Sequence, residues 1–94
     1  MFLGTVVGSV VSTHKNERLV GKRLLLVRRL TLQMKPEGAE IIALDVVDAG
    51  VGDNVLVVQE GSSARKIFDD PWIPVQVVIV GVLDRVDIGG RNIL

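Results

Sequence analysis

The chain has 94 residues, with 11 basic and 11 acidic side chains and a formal net charge of zero. That leaves room for one small domain and gives no whole-chain attraction to polyanions. It contains no Cys, which excludes disulfide scaffolds, thiolate metal sites and Cys nucleophiles and fits a reducing compartment. Its 18 Val, 11 Leu and 7 Ile stand against 4 Ala and three aromatics, Phe2, Phe68 and Trp72. β-Branched side chains suit a pleated, half-buried surface, so the composition favours strands. A domain this small buries only about 60–65% of its unfolded surface, so part of this aliphatic content is expected to be covered by other copies or partners.

The first strand is predicted from Phe2 to about Thr13. It is apolar on both faces, with Phe2, Val6 and Val10 on one and Leu3, Val7 and Val11 on the other. Gly4 and Gly8 mark points of bending or close backbone approach. After the polar stretch His14–Arg18, Leu24–Leu30 forms a second strand, again apolar on both faces. Lys35-Pro36-Glu37-Gly38 carries Pro and Gly where a type I turn wants them. Ile41–Val47 reads as a third strand, Ala49–Asn54 as a tight hairpin connection, and Val55–Val58 as a fourth strand. Ser62 or Ser63 can cap a helix of at most two turns over Gly61–Phe68, ended by Asp69-Asp70-Pro71. Val75–Val86 is the last strand, and 89–94 reads as a loose, flexible tail.

Five strands and one short helix describe a small all-β barrel or sandwich, a single domain over 1–88. Two-sided apolar strands also suit a parallel sheet, but its crossovers need a dozen or more residues, usually a helix, and none is visible. In a barrel without helical cover, the inner face fills the core and the outer face packs on a neighbouring subunit. Charge adds to this reading. Lys15, Arg18, Lys22, Arg23, Arg28 and Arg29 cluster against Glu17 alone, whereas Glu37–Glu60 holds six acidic residues and no basic one. Complementary edges suit head-to-tail contact, which closes into a ring when its rotation permits; the alternative is ordinary solvated surface.

Little in the chain points to chemistry. His14 is the single histidine and sits in a polar loop; with no Cys beside it, transition-metal ligation is not expected. Asp69-Asp70 reads as punctuation at a helix end rather than an acid–base pair, and Gly50-Val51-Gly52 is only a fragment of a dinucleotide fingerprint. The Ser62 and Ser63 amides, near Arg65, suit a cap better than an anion site. No Gly-x-Ser-x-Gly elbow is present, and a small enzyme is the most distant reading. The longest apolar run, Val75–Leu83, is too short for a membrane span and is broken by Gln76 and Gly81, while no Lys or Arg precedes Lys15 to start a signal peptide. A soluble, cytosolic protein is therefore expected. Small five-stranded barrels often bind single-stranded nucleic acid by stacking bases on aromatics within a basic groove. This chain has no Tyr, and its three aromatics are not interleaved with the basic stretch.

Several segments form a collinear pattern from Met1 to about Asp87. They are Gly4-x-Val6-Val7-Gly8-x-Val10-Val11, Leu19-Val20-Gly21-Lys22-x-Leu24-Leu25, and Asp45-x-Val47-x-Ala49-Gly50-x-Gly52-Asp53-x-Val55-Leu56-Val57. Gly61-Ser62-Ser63-Ala64-Arg65 and Pro74-Val75-x-x-x-Ile79-Val80-Gly81-Val82-x-Asp84 complete it. The pattern closely resembles the bacterial microcompartment vertex family, the EutN/CcmL-type shell proteins. The resemblance implies an OB-like barrel that assembles as a cyclic pentamer with a narrow axial pore. It further implies a non-enzymatic place at the vertices of a polyhedral shell in the bacterial cytoplasm, beside hexameric shell proteins, with no cofactor, nucleic acid or membrane partner. Flat hexagonal tiles cannot close a surface, and five-fold units supply the missing curvature. Contacts are expected from the basic loop (Lys15, Arg18, Lys22, Arg23) and the Ala49–Asn54 loop with Gly50, Gly52 and Asp53. Gly61, Ser62, Ser63 and Arg65 are expected near a subunit interface or the axis. Two departures stand out: Gln76-Val77-Val78 replaces Asp-Ala-Ala after Pro74-Val75, and Trp72 lies outside the family pattern.

Overall fold

The computed structural model describes residues 1–11, 23–59 and 77–94. Within them lie strands β1 (Phe2–Val10), β2 (Arg23–Leu30), β3 (Ile41–Asp45), β4 (Asn54–Gln59) and β5 (Val77–Val82), followed by β6 (Asp87–Ile88) and β7 (Arg91–Asn92). The first five form a closed barrel in the order β1-β2-β3-β5-β4, the arrangement of an OB-like barrel. Every neighbouring pair is antiparallel except β3 and β5, which meet in parallel through Leu44–Val78 and Asp45–Ile79. The expected helix over 61–68, Trp72 and Gln76 lie outside the described residues.

The barrel closes because alternate residues supply a continuous aliphatic filling. Phe2 and Val6 of β1, Leu25 and Val27 of β2, Ala43 of β3, Val55 and Val57 of β4 and Ile79 of β5 form the inner cluster with Ala49. At full burial each Val or Leu contributes about 1.5–3 kcal/mol. Gly4 permits this closeness: a Cβ there would lie 2.5 Å from Val27 Cγ1 and 3.1 Å from the Arg28 carbonyl oxygen. β1 then bulges at Val7, where the register with β2 slips between Val6–Val27 and Gly8–Leu26. A bulge of this kind tightens the local twist, which helps a short strand wrap around a barrel.

Three local expectations change. The turn after β2 is not at Lys35–Gly38 but four residues earlier. Met34 N–H donates to the Thr31 carbonyl at 2.9 Å and Thr31 N–H to the Lys35 carbonyl at 2.8 Å, with Met34 at φ 63°. This is a three-residue loop of the bulged hairpin type. The Thr31 hydroxyl accepts from the Gln33 and Lys35 amides, and Pro36 returns alongside Leu30. Second, Gly50–Asp53 is a tight turn but not a β3–β4 hairpin, because those strands are not neighbours. Third, β5 ends at Val82 rather than Val86. Leu83 N–H donates to the Asn54 carbonyl, and the chain continues into the β6–β7 hairpin, turning at Gly89 (φ 59°) and Gly90 (φ 80°).

Gly4→Ala is expected to cost about 1–3 kcal/mol through overpacking. Gly8→Ala, whose Cβ would meet nothing nearer than 3.8 Å, is expected to leave stability unchanged or slightly raised. Urea denaturation of the two variants checks the contrast.

Candidate functional site

The loop between β3 and β4 is built around one carboxylate. The Asp45 side chain is 1% exposed. Its Oδ1 accepts from the Val47 amide at 3.1 Å, and the Ala49 amide donates to both oxygens at 3.2 and 3.1 Å. Arg23 Nη1 donates to Asp45 Oδ2 at 3.2 Å and to Asp48 Oδ1 at 2.7 Å. A buried carboxylate is tolerated when its lone pairs are filled in this way. Further along, Asp53 Oδ2 accepts from the Gly50 amide at 2.8 Å, and Asp53 N–H donates to the Gly50 carbonyl. Gly52 stands at φ 95°, the conformation a type II turn requires at its third position. The turn is also tied to the barrel: Gly52 N–H donates to the Val6 carbonyl and Val6 N–H to the Asp53 carbonyl. The loop is therefore held at both ends, yet it exposes Val51 to 70% and Val46 to 38%.

Of the residues expected at an interface, Arg23, Ala49, Gly50, Gly52 and Asp53 fall in this region. Ala49 is buried in the core, and Gly50, Gly52 and Asp53 shape the turn. Lys15, Arg18, Lys22, Gly61, Ser62, Ser63 and Arg65 lie outside the described residues. Asp45, the residue that organises the loop, belonged to the quoted motif but was not singled out. Its sequence signal was a carboxylate two and four residues before the amides of a Gly-containing loop, the usual reach of a side chain capping its own backbone.

The expected opposition of a basic and an acidic edge is corrected for the described residues. β2 lies antiparallel to β3 with Arg23 opposite Asp45, so the two runs neutralise each other within one chain. Arg23 pairs with Asp45 and Asp48, Arg28 Nη2 reaches Glu40 Oε1 at 2.9 Å, and Arg29 lies 3.9 Å from Glu37. The Arg28 guanidinium holds the exposed Glu40 carboxyl below its ordinary value of 4.5. Arg29 also sits over the Phe2 ring, 4.8 Å from its centroid.

The outer face of the barrel carries two apolar patches separated by a polar row. In the row, Thr5 lies opposite both Arg28 and Asn54, and the Thr5 hydroxyl donates to Asn54 Oδ1. On one side, Leu3 stands between Leu30 and Leu56. With Met1 and Leu32 they line an open cleft of about 350 Å³. On the other side, Leu26 lies between Gly8 and Ile42, and Ile42 is 52% exposed. Among the described residues no group of three His, Cys, Asp or Glu side chains is placed to hold a metal ion.

A closed five-stranded barrel with two exposed apolar patches on its outer face and a loop tied to β1 by backbone hydrogen bonds presents surfaces suited to contact with other chains. The comparisons agree: residues 1–84 match the family model described as ethanolamine utilisation protein EutN/carboxysome, and the chain belongs to this EutN/CcmL family. It is 42% identical over 87 residues to the bacterial microcompartment shell vertex protein GrpN of Rhodospirillum rubrum, covering 93% of this chain and 97% of that one. It is 44% identical to the shell vertex protein PduN of Salmonella typhimurium, covering 89% and 96%. The solved structure titled as the GrpN pentameric microcompartment shell protein superposes with a TM-score of 0.83 at 42% identity, covering 94% of this chain and all of that one. That of Gloeobacter violaceus CcmL reaches 0.92 at 32% identity, covering 100% and 96%. These matches lend no support to the single-strand-binding alternative.

Asp45→Ala strands the Val47 and Ala49 amides and is expected to cost about 2–4 kcal/mol. Asp48→Ala, which removes only an exposed partner, should cost at most about 1 kcal/mol. Paired urea melts check the difference. By NMR, the Glu40 titration midpoint should lie below 4.5 and rise towards it in Arg28→Ala.

Proposed function

We propose that this chain is a structural shell protein whose five-membered rings cap the vertices of a polyhedral bacterial microcompartment in the cytoplasm. The family membership and the pentameric GrpN relative support this reading, and the exterior of the barrel supplies its physical basis. A ring is built from a head-to-tail contact, which needs two different patches on each subunit. Leu3, Leu56 and Leu32 form one and Leu26 with Ile42 the other, with the polar row keeping them distinct. Because the Arg–Asp and Arg–Glu pairs are spent within the chain, the ring is held chiefly by apolar burial. The mechanism is geometric rather than catalytic: five-fold units close a surface that hexameric tiles leave open.

The carrying observation is Ile42, an exposed branched aliphatic in the middle of a strand on an otherwise well-filled barrel. Ile42→Asp places an unpaired charge in the contact, a change that costs several kcal/mol. The dissociation constant of the ring is expected to rise at least ~100-fold, each decade corresponding to about 1.4 kcal/mol, while far-UV circular dichroism stays that of the barrel. Gel filtration across a dilution series checks this. For the vertex role, coexpression with hexameric shell proteins should give closed polyhedra by electron microscopy, and omission of this chain should leave open or elongated shells.

A further inference from the structure

The hairpin after the barrel lies beyond residue 84, where the match to the family model ends. Its backbone pairing continues past β6 and β7, since Ile93 N–H donates to the Val86 carbonyl at 2.8 Å. The Asn92 side chain accepts from the Leu94 amide at 3.1 Å. With Ile88 opposite Arg91 and Asp87 opposite Asn92, alternation gives the hairpin two unlike faces. Val86, Ile88, Arg91 and Ile93 share one, and Asp87 and Asn92 occupy the other. The apolar face looks across an open cleft of about 390 Å³ towards Leu32, itself 61% exposed. All four residues of β6 and β7 are exposed, and a two-stranded hairpin is marginal in water without a surface to pack on.

We propose that this hairpin is an arm that packs against the Val46–Asp53 loop of the adjacent copy in the ring. The inference rests on the ring reading above and extends it beyond the barrel. Two observations choose the partner. The first is continuity: Leu32 joins the Leu3–Leu56 patch to the hairpin, while β3 runs from Ile42 directly into the loop. If the two patches meet between copies, the hairpin and the loop are brought together as their extensions. The second is complementarity. The arm offers Ile88 with Arg91, which makes no ion pair with another described residue. The loop offers Val46 and Val51 beside an acidic excess. Among the described residues, Asp45, Asp48 and Asp53 face the single cation Arg23, which is paired with Asp45 and Asp48. The loop therefore keeps a net negative charge towards Arg91, although Asp48 is already bonded on one side. The loop is already rigid through Asp45 and Asp53, so docking there costs little ordering.

The absence of native Cys makes the contact directly testable. Ile88→Cys and Val51→Cys are introduced into separate, differently tagged chains, coexpressed, and treated with a short bismaleimide. Each chain then carries one thiol, so a covalent product bearing both tags reports a contact between copies. That product is expected, with loss of most of it in Arg91→Glu, and deletion of 85–94 should lower ring stability at least tenfold while the barrel's circular dichroism persists. Ile88→Cys and Val51→Cys chains that assemble into rings but give no mixed product, together with rings that keep their stability without 85–94, overturn the arm alone. A wild-type chain that stays monomeric overturns both the arm and the ring.

Discussion

Asp45 is the residue on which the architecture turns. It ends β3 at the place where the barrel closes on β5, opposite Ile79 on one side and Arg23 on the other. Its buried carboxylate then collects the amides of Val47 and Ala49, so the chain leaves the barrel in one direction only. Ala49 is drawn into the core as a consequence. From there the Gly50–Asp53 turn is delivered to Val6, where two backbone hydrogen bonds extend the β1 edge. Strand closure, core filling and loop shape thus share one electrostatic anchor. Its cost of burial is offset because the ion is satisfied on every side.

The second constraint is the lack of cover. Short strands that are apolar on both faces leave outer patches that the described residues do not cover, with Ile42 and Leu32 more than half exposed. The polar row of Thr5, Asn54 and Arg28 divides that exterior, and internal pairing of Arg23, Arg28 and Arg29 with carboxylates leaves β2 and β3 with little charge to hold a neighbour. What remains is apolar surface in two separate areas, which favours open-handed, directional association over a symmetric dimer. The family's shell vertex proteins are consistent with such a surface, and the fixed loop and the hairpin lie at the margins where further contacts would form.

Much of the barrel was legible in the sequence because Val, Leu and Ile runs are bounded by Gly, Pro and Asp. β2 and β4 in particular begin and end within a residue of their apolar limits. The turn after β2 was not legible. Pro36 and Gly38 signal a turn strongly, but the chain bends at Thr31–Met34, where a threonine hydroxyl and a methionine at positive φ do the work. The β6–β7 hairpin was not legible either: 89–94 reads as a loose tail, yet the chain turns at Gly89-Gly90 and pairs Ile88 with Arg91. Charge was legible as composition but not as pairing. Two opposed runs look alike whether they meet within a chain or between chains, and only the β2–β3 register decides. The role of Asp45 was hidden for the same reason: a capping carboxylate is recognised by where its backbone folds, which spacing alone suggests but does not fix.

Native mass spectrometry of the wild-type chain from a near-neutral volatile buffer tests the central claim most directly. A dominant species of five 10.2-kDa chains, collapsing to monomers when Ile42 is replaced by Asp, is the expected result. A wild-type monomer, or a symmetric dimer indifferent to that replacement, would contradict the idea that the outer face of the barrel is built to be covered by its neighbours.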